Sequence, residues 1–111
     1  MSTYGVSVFQ TGQNAPVGTG TLTLNSSSNT YSLSFTQAGK SAVFFEGKYS
    51  QTTLKGQSVV SLADAGISNQ TKINQVIGTQ GTYKGAGIIQ GCFSILNEDT
   101  EITGLLIALG V

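Results

Sequence analysis

The chain has 111 residues, 39% of them hydrophobic, which is one domain's worth of sequence and enough to bury a single core without disulfides or a structural metal. Charged residues make up 9%, against roughly 25% in an average domain; five Lys offset five acids, and Arg and His are absent. This excludes nucleic-acid binding, which needs a basic surface to displace counterions from phosphates, and it removes both zinc sites and His-assisted nucleophiles.

The pattern along the chain has a period of two, as half-buried strands require. Tyr4, Val6 and Val8 alternate with Gly5, Ser7 and Phe9. Gln10 to Pro16 reads as a loop. Thr21 and Thr23 then alternate with Leu22 and Leu24, and Tyr31, Leu33 and Phe35 with Ser32, Ser34 and Thr36. Between these two runs lies Asn25-Ser-Ser-Ser-Asn29, whose polar side chains compete with ladder formation and favour a hairpin loop. A further loop is predicted at Ala38-Gly39-Lys40. More strands fit Ala42–Gln51, Gly56–Leu62, Lys72–Ile77 and Tyr83–Leu96, the last being one long bent strand or two. Ala63 to Thr71 accommodates one helical turn. An acidic turn, Asn97-Glu-Asp-Thr100, precedes a closing strand over Glu101–Val111. About seven to nine short strands in one domain predict a barrel or sandwich.

The closing strand is apolar on both faces. Leu105, Ile107 and Leu109 point one way, Leu106 and Ala108 the other. One face meets the core, so the other needs a second cover. The expected cover is another subunit, with Leu105, Leu106 and Ile107 as candidate interface residues; the alternative is a loop of the same chain. A neutral surface rich in Ser, Thr, Asn and Gln does little to hold copies apart, which fits self-assembly.

Candidate chemistry is sparse. Glu46 shares a strand face with Phe44 and Lys48, while Phe45, Gly47 and Tyr49 take the other face. With the Phe44 face inward, Glu46 is a buried carboxylate and a candidate acid or base. With the Phe45 and Tyr49 face inward, two aromatics are buried and Glu46 and Lys48 are solvated; this second arrangement is the favoured one. Tyr31, Phe35, Phe44, Tyr49 and Tyr83 are the candidate lining of a pocket, or simply pack. Glu98, Asp99 and Glu101 offer oxygen ligands but read as a solvated hairpin tip, so no metal and no cofactor is expected. Cys92 lies in an apolar run and reads as a small core residue. The first residues, Met1-Ser-Thr-Tyr4, carry neither a basic nor an apolar export region, which leans toward the cytoplasm. No apolar run is long enough for a membrane helix, and no membrane partner is expected.

Gly78-Thr-Gln-Gly-Thr-Tyr-Lys-Gly-Ala-Gly87 lacks the spacing of a phosphate-binding loop and of a dinucleotide fingerprint. With Ile88-Ile89, a strand, a short acidic turn and a last apolar strand, it resembles the late glycine-rich segment of the allene oxide cyclase and dirigent-like barrel superfamily. Phe45-Glu-Gly-Lys-Tyr-Ser-Gln-Thr-Thr-Leu54 resembles the middle strand of that group. The resemblance spans residues 42–111 of a chain that is short for the family. It implies an eight-stranded antiparallel barrel, commonly trimeric, with a mostly apolar cavity that steers cyclisation of a hydrophobic small molecule by confinement. No catalytic residue transfers with it.

The sequence thus predicts a single all-β domain over residues 1–111, a small antiparallel barrel of about eight strands. Two functions follow. One is a barrel binding a hydrophobic small molecule, with cyclase or isomerase activity; the other is a non-enzymatic, self-assembling surface, lectin-like or structural protein.

Overall fold

The computed structural model describes residues 2–37, 39, 42–62, 71–97 and 100–110. They form eight strands: β1 Ser2–Gln10, β2 Gly18–Asn25, β3 Thr30–Gln37, β4 Val43–Leu54, β5 Gln57–Leu62, β6 Thr71–Tyr83, β7 Ala86–Asn97 and β8 Thr100–Gly110. Each strand pairs antiparallel with the next, and β8 pairs back onto β1, so the sheet closes into an up-and-down barrel. No helix is present among the described residues. The radius of gyration, 13.2 Å, is that of a compact chain of this length.

The turns follow from local chemistry. Residues 26–29 join β2 to β3; the Ser27 N–H donates to Asn25 Oδ1 at 3.1 Å, and Asn29 takes a left-handed φ of 55°, which Asn tolerates. Two tighter hairpins turn on Lys55-Gly56 and Lys84-Gly85, where both residues of each pair have positive φ. That is the type I′ turn, whose twist matches the strands it joins and whose second position suits Gly.

The second of these turns revises the expected strand pattern. Tyr83 ends β6 instead of starting the next strand, and β6 runs on through the glycine-rich segment past Ile77. Two of the segment's glycines have separate local roles: Gly78 at a close strand approach and Gly85 in the hairpin turn. Gly78 faces Gly91 across the β6–β7 ladder, and Cβ atoms there would crowd backbone and Ile89. The helical turn expected over 63–71 falls mainly on residues 63–70, outside the described residues, as do Glu98 and Asp99 of the acidic turn.

The lumen is filled by alternate residues of every strand. Tyr4, Leu22, Leu33 and Phe45 form one cross-strand row through β1 to β4, and Phe45 has no exposed surface. Val8, Leu106 and Val60 lie on another row, with Gly91 and Gly78 between them. Tyr31, Phe35, Tyr49, Ile89 and Phe93 join the packing with Val6, Leu24, Leu62, Val76 and Ala108, and no polar side chain is buried among the described residues. Eight strands give a lumen just wide enough to be filled this way.

Candidate functional site

With the lumen packed, the side chains free to meet another molecule lie on the outer wall and at the barrel mouth. Parity decides which they are. On β8, Leu106 is 3% exposed and Ala108 fully buried, while Leu105, Ile107 and Leu109 are 58%, 40% and 40% exposed. Leu106 therefore belongs to the core and not to an interface with Leu105 and Ile107. The reason is register: Leu106 pairs with Val8 on β1 and with Gly91 on β7, both on the inward set.

The outward set continues across the neighbouring strands. Phe9, Leu105, Cys92 and Ile77 form one row over β1, β8, β7 and β6. Ser7, Ile107, Gln90 and Thr79 form the next, and Leu109 pairs with Ile88 in a third. Cys92 is exposed here, contrary to its expected place in the core, because its neighbours Gly91 and Phe93 occupy the inward positions. Within these rows no side chain is charged. Glu101 lies further along β8, accepting a 2.8 Å hydrogen bond from Ser94 Oγ.

The loop after β1 runs beside this wall. Its Thr11 N–H donates to Thr103 O and its Val17 N–H to Val8 O, at 3.3 and 2.9 Å. Between loop and wall lie two adjoining open depressions of about 590 and 430 Å³, both lined by Phe9, Cys92 and Leu105. Gly104 keeps the strands close at this point, since a Cβ there would collide with the Phe9 carbonyl.

The opposite wall is polar. Thr19, Thr21 and Thr23 of β2 pair with Thr36, Ser34 and Ser32 of β3, and Ser34 and Ser32 with Phe44 and Glu46 of β4. Glu46 and Lys48 are both solvated and Phe45 and Tyr49 both buried, which is the favoured one of the two expected arrangements.

The five aromatics expected to line a pocket are not brought together. Tyr31, Phe35 and Tyr49 point into the lumen and pack against Leu and Val side chains. Phe44 lies on the polar outer wall, and Tyr83 is half exposed at a hairpin end with Lys84 Nζ 5.5 Å from its ring centroid. At the mouth formed by β1, β4, β5 and β6, neutral side chains bond one another. Gln51 Nε2 donates to Ser58 Oγ and to Gln80 Oε1 at 2.9 and 2.8 Å, and Gln80 Nε2 donates to the Tyr4 hydroxyl at 3.3 Å.

Sequence reasoning missed Phe9, Ile77, Ile88 and Cys92 as members of the outer apolar wall. The signal was present for Phe9, which breaks the polar phase set by Gly5 and Ser7. For Cys92 it was the parity of the neighbouring Phe93. No protein-family model, curated protein or solved structure matches this chain.

Proposed function

We propose that this protein is a non-enzymatic, self-associating barrel whose wall over β1, β8, β7 and β6 is buried against a second copy. One observation carries the reading. Leu105, Ile107 and Leu109 stay substantially exposed on a strand whose other face is already buried. With Ile77 they present on the order of 300 Å² of apolar surface, comparable to the largest patch on a typical monomer, a patch that is often functional.

The chemistry of the patch favours a copy of the same chain as the occupant. Among the described residues the sheet closes into a barrel, and the patch lies on paired strands, so association there proceeds through side chains. The patch carries no charge that would select an oppositely charged partner, and the chain's net charge is zero, so two copies meet without repulsion. Ser7, Thr79 and Thr103 flank the patch as the polar rim that such interfaces carry, and Gln90 sits within it. The trimer implied by the resemblance to the dirigent-like barrels is one of the closed assemblies this patch can build.

Enclosure of a hydrophobic small molecule, with confinement as its catalytic device, rests on the barrel architecture alone. The packed aromatic and aliphatic lumen gives it no further support.

Cys92 provides the test, because it lies inside the patch. Alkylation by iodoacetamide is expected to be fast in dilute solution and to slow as protein concentration rises. A rate that does not depend on concentration overturns the proposal.

A further inference from the structure

The polar wall holds a second depression, and its chemistry differs from that of the apolar one. It measures about 610 Å³; besides Tyr31 and Gly47, whose strand face is the inward one, it is lined by Thr23, Asn25, Thr30, Ser32, Glu46 and Lys48. Register explains how these six come together. Thr23, Ser32 and Glu46 are cross-strand partners on β2, β3 and β4, and Asn25, Thr30 and Lys48 are the next outward row. Strands lie roughly 4.8 Å apart and alternate residues about 6.7 Å apart, so the array covers about 10 by 7 Å. That is the footprint of a sugar ring with its hydroxyls.

We infer that this depression binds a neutral saccharide. The donor and acceptor inventory suits one. Thr23, Thr30 and Ser32 hydroxyls both donate and accept, the Glu46 carboxylate accepts from two hydroxyls at once, and the Lys48 ammonium donates. Thr30 and Asn25 are already held in place, Thr30 Oγ1 2.6 Å from Ser28 Oγ and Asn25 Oδ1 accepting from the Ser27 N–H, so these two side chains lose little freedom on binding.

Charge argues against ionic ligands. Glu46 and Lys48 cancel within the array, so an anion meets the carboxylate and a cation meets the ammonium. A hydroxyl-rich neutral ligand uses both. A separate observation points the same way. Phe44 is 64% exposed, in line with Glu46 and Lys48 on the outward face of β4 and opposite Ser34. Phe44 does not line the depression but stands one outward position from Glu46, where an open aromatic ring offers a surface for the apolar C–H face of a sugar that extends past it.

The experiment is amide NMR of the full chain titrated with a panel of neutral gluco-, galacto- and manno-configured di- and trisaccharides. The expected result is that at least one member shifts amides clustered at residues 23–25, 30–32 and 44–48. Glu46→Ala and Phe44→Ala alter exposed positions, and each is expected to weaken that binding about tenfold with the fold intact by circular dichroism. No shifts with any member at millimolar concentration overturn the inference. So do shifts confined to another wall, or a response of the same amides to inorganic phosphate alone.

Discussion

Two walls of one barrel obey the same rule inside and opposite rules outside. On β1, β6, β7 and β8 the inward residues described include Tyr4 and otherwise Val, Ile, Phe, Leu, Ala and Gly, and the outward ones include Leu105, Ile107, Leu109, Ile77 and Phe9. On β2, β3 and β4 the inward residues are again Leu, Tyr and Phe, but the outward ones are mainly Thr, Ser, Glu and Lys. Folding alone explains the inward half of both walls, because each strand needs one apolar face to close the core. It does not require the outward half to differ. Water suits the hydroxyl wall and leaves the apolar wall uncovered, so the difference between them is where function is to be sought.

The strongest challenge to this contrast is to exchange inner and outer positions on the apolar wall. Leu106→Glu places a carboxylate among Val8, Phe93 and Ala108, at a cost of several kcal/mol that is a large part of a typical domain's stability. It is expected to abolish the cooperative thermal transition. Leu105→Glu, one residue away, is expected to keep it; loss of folding in both variants makes the outward face structural. The parallel exchange on the polar wall is smaller. Phe45→Ala should lower stability in urea by about 3–5 kcal/mol, and Phe44→Ala by under about 0.5 kcal/mol. Equal effects would put both rings in the core.

Much of this fold was legible in the sequence. Phe45 and Tyr49 could be placed inside because doing so solvates Glu46 and Lys48, and the loop at Asn25–Asn29 was announced by its polar run. The two faces of β8 were not separable, since both are apolar. Side-chain volume favours burying Leu105, Ile107 and Leu109, yet the barrel buries Leu106 and Ala108. Gly104, set against the Phe9 backbone and paired with Phe93, fixes the strand's phase through close approach, which periodicity does not encode. The Lys84-Gly85 hairpin escaped notice because Lys, not Asn or Asp, takes the left-handed position there. The candidate sites were harder to read, since each depends on which rows of adjacent strands come into register.

Gly85→Ala tests that turn directly. Its φ of 83° strains an L side chain, so a loss of about 1–2 kcal/mol is expected, with both outer walls unchanged. An unchanged melting temperature would remove the turn from the account. The smallest effect concerns the mouth. Tyr4→Phe deletes the hydroxyl that accepts from Gln80, and about 0.5–1 kcal/mol should be lost in urea denaturation. A larger loss would give the polar mouth a share in holding the walls together.

Molecular mass in solution decides whether the apolar outer wall is an interface between copies. Sedimentation equilibrium of the wild type at micromolar concentration is predicted to give a whole multiple of 11.5 kDa. The double variant Leu105→Lys with Ile107→Lys is predicted to fall to 11.5 kDa while remaining folded. A wild type that sediments as a single chain, or a folded double variant that keeps the wild-type mass, would contradict that interface.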